Sequence, residues 1–251
     1  MGEFLSVEGL SKEFGGVEVL ASFELRLGAH DLLCVIGPNG CGKTTLLNLL
    51  SGQLRPSAGR VMFRGTNLAA LRPFEIARLG VGRKFQVPSV FASLTVSENL
   101  SVARSAEAGQ AGLRALARPA GEADKAAIAE TLDLVGLAGK ENNPAGTLAH
   151  GEMQWLEIGM VLVGQPKLML LDEPTAGMTR GETAETAALI RRIHGQSETA
   201  VILIEHDMRF VEALGAPVAV MMGGKILTTG TYDEIRANAD VRAGYLGGGH
   251  A

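Results

Sequence analysis

Cysteine and aromatic residues are scarce in this sequence of 251 residues. It has two cysteines, Cys34 and Cys41, and only 4% aromatic side chains. Two thiols are too few for a disulfide framework, and their places in and just after an apolar segment suit a reducing compartment. A small disulfide-stapled secreted domain is therefore excluded. We expect Cys34 to be a core residue and Cys41 to fill a tight loop.

Long apolar runs and an excess of positive charge are also missing. The longest apolar runs, such as residues 167–172 and 217–222, fall far short of the roughly 18 residues that cross a membrane. Residues 1–14 show no basic region followed by an apolar stretch, so we expect no signal peptide. The net charge of −4 argues against nucleic acid as the main partner. What the chain does have is 46% hydrophobic residues, enough for one large α/β domain carrying an insertion.

The order of apolar segments predicts strands, then helices, then strands again. "FLSVEGL" and "VEVLASFELRL" alternate apolar and polar residues around Gly15-Gly16, which predicts an antiparallel pair. "DLLCVIG", "KLMLLD" and "AVILIEH" are continuous apolar runs, typical of buried parallel strands. Residues 87–163 are rich in Ala, Leu and Glu at helical spacing. We predict a core formed by residues 1–86 and 164–251, with a helical subdomain at residues 87–163.

A glycine-rich motif stands between the first of these buried strands and a helical segment. Residues 37–44, "GPNGCGKT", satisfy the G-x-x-x-x-G-K-[ST] pattern of a phosphate-binding loop. Glycines let successive N–H groups point at phosphate oxygens, and the helix adds its positive end. Lys43 is expected to reach the β- and γ-phosphates and Thr44 to ligate Mg²⁺. The alternative, a glycine-rich turn without a ligand, is disfavoured by the strand, the spacing and the Lys-Thr pair together. The predicted nucleotide contacts are Gly37, Asn39, Gly40, Cys41, Gly42, Lys43, Thr44 and Thr45.

Two adjacent carboxylates follow a second buried strand. In "LMLLDEPTAG", Asp172 and Glu173 stand at the strand end. One acid at this place can hold Mg²⁺ through its water shell, and its neighbour can polarise the attacking water. A pair of solvated loop acids is the alternative, which the phosphate loop disfavours. We predict Asp172 as the Mg²⁺ partner and Glu173 as the general base.

Two more polar residues are candidates for the same site. His206 ends the apolar run in "AVILIEHD", where a γ-phosphate contact is favoured, although a lone histidine is more often structural. Gln86 in "RKFQVP" is a weaker candidate, because its neutral amide can simply bond backbone.

Taken together, these motifs resemble the ATP-binding subunits of ABC transporters over nearly the whole chain. Residues 37–45 look like the Walker A loop and residues 168–172 like the Walker B strand. Gln86 falls at the Q-loop glutamine, which implies a catalytic and magnesium-binding role, and His206 at the switch histidine. Phe14 is similar to the aromatic that stacks on adenine, although composition alone would favour the core. The resemblance implies ATP and Mg²⁺ as cofactors. The implied fold is α/β, with a P-loop NTPase core built on a parallel sheet, an N-terminal antiparallel β subdomain and an inserted α-helical subdomain.

The signature of that family is also recognisable, in altered form. Residues 148–152, "LAHGE", stand where the family has Leu-Ser-Gly-Gly-Gln, so the serine hydroxyl and one glycine are missing. The family's aspartate after the Walker B strand is replaced within "AGMT". The resemblance implies that this helix start faces the γ-phosphate held by a second ATP-binding subunit, in a head-to-tail dimer that is expected to be heteromeric in vivo. The implied contacts are Leu148, Ala149, His150, Gly151 and Glu152.

The resemblance narrows to one transport group. "KFQVPSVFASLTVSENL" and "DVRAGYLG" look like the branched-chain amino acid uptake group, and "HGEMQWLEIGM" resembles its branch for urea and short amides. The implied partners are two membrane-spanning permease subunits and, indirectly, a periplasmic or extracellular solute-binding protein. The permeases are expected to dock beside residues 87–91, with residues 93–100 behind them, at the cytoplasmic face of the plasma membrane.

Three other functions stay open at the level of sequence. An ABC exporter of lipid-linked molecules shares the short "AG" sequence after the carboxylates. A soluble ABC ATPase acting on nucleic acid or ribosomes would bring coiled coils, a second cassette or basic arms, and none is evident. A nucleotide-binding regulator without turnover would not depend on Glu173.

Overall fold

The computed structural model describes residues 4–84, 90–107 and 121–246. An antiparallel sheet is formed by β1 (Leu5–Phe14), β2 (Val17–Leu27), β4 (Ala58–Phe63) and β5 (Thr66–Asn67), in the order β2–β1–β4–β5. β1 and β2 are the antiparallel pair predicted from their alternating sequences, with Phe14 opposite Val17. β1 and β2 precede the phosphate loop in the chain, and β4 and β5 follow it.

The second sheet contains β3 (Leu32–Ile36), β6 (Val81–Lys84), β7 (Leu168–Asp172), β8 (Ala200–Ile204), β9 (Val218–Met222) and β10 (Lys225–Gly230). Its order is β10–β9–β3–β8–β7–β6, and every pairing is parallel except that of β10 with β9. The carboxyl ends of parallel strands meet at one edge of a sheet, where open α/β proteins bind ligands. The ends of β3, β7 and β8 therefore bring the predicted loop, acids and histidine to one edge.

The helices are α1 (Lys43–Leu50), α2 (Pro73–Arg78), α3 (Val96–Glu107), α4 (Glu122–Leu134), α5 (His150–Leu162), α6 (Arg180–Gln196), α7 (Met208–Leu214), α8 (Tyr232–Ala237) and α9 (Ala239–Val241). Short 3₁₀ turns occur at Leu68–Ala70 and Ala145–Thr147, and a π-helical turn at Arg242–Leu246. α3, α4 and α5 all lie between β6 and β7 in the chain. The helical character of this segment is as predicted, and the division into subdomains stays a prediction. Over the described ranges, every helix is too short or too polar to span a lipid bilayer.

The parallel sheet is buried on both faces. Along β7, Leu168 and Leu170 belong to the apolar cluster that also contains α1 and the antiparallel sheet, while Met169 and Leu171 belong to the cluster of α3–α7. This alternation explains why the strand reads as a continuous apolar run. The strand ends that carry the polar residues are consequently fixed by a close-packed core. The predicted α/β fold is confirmed.

Candidate functional site

The phosphate loop connects the end of β3 to the start of α1, and two of its glycines are required by its shape. Gly37 has φ 153° and Gly42 has φ 103°, which side chains disfavour. A Cβ at Gly37 would lie 2.1 Å from the carbonyl oxygen of Met221, and one at Gly42 would lie 2.9 Å from that of Val19. The loop is therefore pressed against β9 and β2. Its outer residues Asn39 and Gly40 are exposed.

Lys43, the first residue of α1, folds back onto this loop. Its Nζ donates hydrogen bonds to the carbonyl oxygens of Gly37, at 2.7 Å, and Pro38, at 2.9 Å. Only 7% of the residue is exposed. The ammonium group is thus held inside the loop, beside the N–H groups at the start of α1. Thr44 is exposed and Thr45 is partly buried.

The two carboxylates at the end of β7 have different surroundings. Asp172 is 1% exposed, and its Oδ2 lies 3.5 Å from Nη2 of Arg83. Its Oδ1 is buried and accepts no hydrogen bond from the part of the chain that the structure describes. Burial raises the pKa of the Asp172 carboxyl, and the Arg83 guanidinium opposes this rise. Glu173 is less buried and has φ 46°, so the chain turns sharply between the two acids.

A cleft of about 370 Å³ brings several predicted residues together. It is lined by Gly37, Pro38, Asn39, Glu173, His206 and Tyr245. Nδ1 of His206 lies 3.5 Å from Oε1 of Glu173, and 59% of the histidine side chain is exposed. The phosphate loop, the second carboxylate and the strand-end histidine thus face one space. A larger cavity, about 860 Å³, lies at the opposite ends of β3 and β9 and contains none of these groups.

Two residues of this cleft region were not identified from the sequence. Glu205 is 1% exposed; its Oε1 accepts hydrogen bonds from the backbone and hydroxyl of Thr175, and its Oε2 accepts one from the backbone of His206. Glu205 therefore ties the loop after Glu173 to His206. Tyr245 lies in the π-helical turn, and burial raises the pKa of its hydroxyl while a hydrogen bond from Gly37 opposes the rise. Tyr245 stands within the family string "DVRAGYLG", and Glu205 directly precedes His206 in "AVILIEHD", which was the available signal.

The altered signature lies at the start of α5. None of the described residues lining the cleft belongs to residues 148–152. The N–H of Ala149 donates to Oε2 of Glu152 at 3.1 Å, and that of Gly151 donates to Oε1 of Glu182 at 3.2 Å. Nε2 of His150 lies 3.0 Å from the carbonyl oxygen of Ala176. Leu148 is buried, and Glu152 also pairs with Lys140.

The remaining candidates are differently placed. Phe14 is 44% exposed at the end of β1, so it is not the core residue that composition alone favours, and Nζ of Lys12 lies 5.0 Å from its ring centroid. Cys34 is buried, as predicted, and burial raises its pKa well above the usual range. Cys41 is 7% exposed, and burial raises the pKa of its thiol too. Gln86 and residues 87–89 lie outside the described residues.

Comparisons with known proteins agree with this geometry. The ABC transporter family model matches residues 20–176. The chain is 39% identical over 250 residues to the high-affinity branched-chain amino acid transport ATP-binding protein LivG of Salmonella typhimurium, covering 97% of both chains. It is 37% identical over 249 residues to the corresponding protein BraF of Pseudomonas aeruginosa, again covering 97% of both. The solved ADP conformation of MJ1267, an ATP-binding cassette of an ABC transporter, matches with a TM-score of 0.87 and 28% identity, covering 98% of this chain and 100% of that one.

These matches extend over both sheets and the helices between them, and they include the phosphate loop and the paired acids. The chain belongs to the ATP-binding cassette family and is an ATP-hydrolysing, ATP-binding subunit of an ABC transporter.

Proposed function

We propose that this subunit binds ATP with Mg²⁺ at residues 37–45 and uses its hydrolysis to power uptake of a small solute through a membrane permease. The observation that carries the site is the convergence of the phosphate loop, Glu173 and His206 on one cleft. A nucleotide there would place its phosphates at the start of α1. Exposed Phe14 is available to stack on the adenine.

The surroundings of Asp172 fit a magnesium site. Its buried Oδ1 accepts no hydrogen bond from the described chain, and Thr44 offers an exposed hydroxyl on the first turn of α1. The described ranges contain no group of three or more His, Cys, Asp or Glu side chains that could hold a metal alone. Nucleotide oxygens and water would have to complete the coordination, which is the usual state of protein-bound Mg²⁺. When bound, the ion would neutralise charge developing on the β- and γ-phosphates.

The chemistry requires a water molecule, a base and stabilisation of negative charge. Glu173 takes a proton from the water that attacks the γ-phosphorus; the new P–O bond forms as the bond to the bridging oxygen breaks, giving ADP and phosphate. His206, beside Glu173, contacts the γ-phosphate. Lys43 exchanges its bonds to the loop carbonyls for bonds to the β- and γ-phosphates. Gln86 is assigned to this site by the family resemblance alone.

The altered signature would serve a second ATP-binding subunit. Since none of its residues is among the described lining of the cleft of its own chain, a head-to-tail dimer is supported, in which the start of α5 faces the γ-phosphate bound by the partner. The Gly151 N–H that would make this contact already donates to Glu182. Closure of the dimer would therefore replace a carboxylate by a phosphate. Binding of ATP favours the closed dimer, and hydrolysis reopens it.

A groove beside β6 is the candidate docking place for the permease. About 330 Å³ in volume, it lies between α2, β6 and α5, and 47% of Phe74 is exposed there, flanked by Arg72 and Arg78. Residues 87–91, the predicted wall, follow β6 in the chain, and residues 87–89 are outside the described residues. Docking here would hold the subunit at the cytoplasmic face of the membrane.

Two solute classes are proposed, each from a different observation. The relatives LivG and BraF act in branched-chain amino acid transport, and they match along the whole chain. The string "HGEMQWLEIGM" favours urea and short amides. Co-expression with the membrane subunits encoded nearby, followed by parallel uptake of urea, acetamide and leucine, separates them. Uptake of one class that disappears with Lys43→Ala supports the proposal.

The same preparation tests the rival functions. A transporter subunit is expected to co-purify with detergent-solubilised membrane subunits. Co-purification with nucleic acid or ribosomes instead would favour the soluble class. Binding to membrane subunits without uptake of any of the three solutes, together with extraction of a lipid-linked molecule, would favour the exporter.

A further inference from the structure

Arg83 is a buried cation that joins three elements of the core. Its side chain, 6% exposed, starts from β6. Nη1 donates hydrogen bonds to Oδ1 of Asn48, at 2.7 Å, and to Oγ of Ser51, at 2.8 Å, both near the end of α1. Nη2 lies 3.5 Å from Oδ2 of Asp172 at the end of β7. One guanidinium thus contacts the helix that follows the phosphate loop and the strand that ends in the paired acids.

The neighbouring cation on β6 serves a different part of the molecule. Nζ of Lys84 lies 3.1 Å from Oε2 of Glu157 on α5, and both side chains are at most 4% exposed. Successive side chains of a strand point to opposite faces of the sheet. Arg83 therefore faces α1, while Lys84 faces the helices that lie between β6 and β7 in the chain. The chain itself offers a matched pair of buried cations.

The contacts of Arg83 decide which oxygen of Asp172 is available. Oδ2 faces the guanidinium, and Oδ1 is left without a hydrogen bond from the described chain. Thr44, the other proposed magnesium ligand, lies on the same helix as Asn48, and Ser51 caps the end of that helix. A planar guanidinium with several donors in a rigid fork can fix the separation between the Asp172 carboxylate and α1, whereas a lysine ammonium acts as a point charge.

We propose that Arg83 is a positioning residue that sets the placement of Asp172 relative to Thr44 for magnesium. The proposal rests on the proposed magnesium site. Arg83 contacts Oδ2 and would leave Oδ1 available to hold the ion. Residues that hydrogen-bond to metal ligands contribute to metal affinity in this way. Their loss typically lowers metal affinity or activity by about tenfold to a hundredfold.

The test is Arg83→Met, which removes the charge and the donors at similar length. Binding of a fluorescent ATP analogue is titrated with Mg²⁺, and separately measured in EDTA. We expect the half-saturating Mg²⁺ concentration to rise by about tenfold or more, while affinity in EDTA stays close to wild type. Arg83→Lys keeps the charge but lacks the forked donors of the guanidinium. Its half-saturating Mg²⁺ concentration is therefore expected to lie between those of wild type and Arg83→Met. Steady-state hydrolysis should show the same shift in Mg²⁺ dependence.

Two controls keep the outcome interpretable. Lys84→Met breaks the other buried pair and removes a cation that contacts Glu157 directly and acts on Asp172 only through its charge, so it should shift the Mg²⁺ titration less than Arg83→Met does. Asn48→Ala keeps the guanidinium but removes one of its acceptors, so it tests the proposal if Arg83→Met does not fold; a smaller rise in half-saturation is expected. Unchanged or lower half-saturation in folded Arg83→Met, or in Asn48→Ala, overturns the role of Arg83. Absence of Mg²⁺ dependence in the wild type overturns the magnesium site itself.

Discussion

The starts of α1 and α5 are two helix N-termini that the chain treats in opposite ways. Gly42 precedes α1 and offers no side chain, and the first turn of that helix contains no acidic residue. At the start of α5, two carboxylates accept backbone N–H groups: Glu152 from Ala149 and Glu182 from Gly151. Both helix starts carry the same partial positive charge. They differ in whether the chain supplies its own anion.

This difference separates a site prepared for phosphate from one that must give up an internal partner. Hydrogen bonds from Thr179 and Gly151 help to lower the pKa of the Glu182 carboxyl, so it is ionised at neutral pH. A phosphate arriving at α5 therefore meets a negative charge, whereas one arriving at α1 meets the Lys43 ammonium. We expect the α1 site to dominate nucleotide affinity and the α5 site to modulate dimer closure.

The largest expected effect comes from Glu173→Gln, which keeps the shape of both sites but removes the base. Turnover should fall by about 10²- to 10⁴-fold, because general base catalysis typically contributes that much. ATP binding should persist, so an ATP-bound dimer should accumulate and show whether α5 engages a partner at all. Phosphate release and sedimentation velocity measure these outcomes. The exposed Glu212→Gln is the control and should hydrolyse ATP like wild type. Turnover close to wild type in Glu173→Gln would contradict the assignment of Glu173 as the base.

Lys43→Ala breaks the α1 site specifically. The triphosphate loses a buried positive charge, and ATP affinity should fall by about tenfold to a hundredfold, the range for hydrogen bonds to charged groups. Calorimetric titration measures the change, and the exposed Lys225→Ala should bind like wild type. The melting temperature of the variant is measured as well, because Lys43 also donates hydrogen bonds to the carbonyl oxygens of Gly37 and Pro38 and its loss can destabilise the loop. Equal affinity in a folded variant would contradict the assignment of Lys43.

The smallest effect is expected at α5 and sharpens the comparison. In a Glu173→Gln background, Glu182→Gln removes the competing charge, so the dimer should form at roughly two- to fivefold lower ATP concentration, the range for one charge at a helix start. Glu234→Gln is the matched control, because Glu234 makes the same capping bonds to Thr231 that Glu182 makes to Thr179. Sedimentation at graded ATP concentrations distinguishes them. A Glu182 variant that dimerises like its control would mean that the carboxylate does not compete.

Local sequence predicted the phosphate loop and the strands because their signals are contiguous. Glycine spacing, an apolar run and a Lys-Thr pair all lie within residues 32–45, and the structure assembles them as one strand, loop and helix. The convergence of Glu173 and His206 followed from the rule that parallel strands end at the same edge. These parts of the site needed no knowledge of distant contacts.

The partners of the site could not be predicted in this way. Arg83 and Asp172 are 89 positions apart, and Gly151 and Glu182 are 31 apart. Such pairs depend on the register between strands and on which face of a helix turns inward, and neither quantity is written in a short motif. Tyr245 is a further case, because its contact with Gly37 depends on how the π-helical turn meets the loop.

The positive φ of Glu173 has a consequence for attempts to raise the thermal stability of this protein. A non-glycine residue in that conformation lowers the stability of the folded state by about 1–3 kcal/mol. Here the strained residue is the one assigned as the base. A glycine at this position would relieve the backbone strain but would remove the carboxylate. The inactive variant would therefore be the more stable protein. Screens that select for heat resistance alone would then drift toward inactive variants at this position.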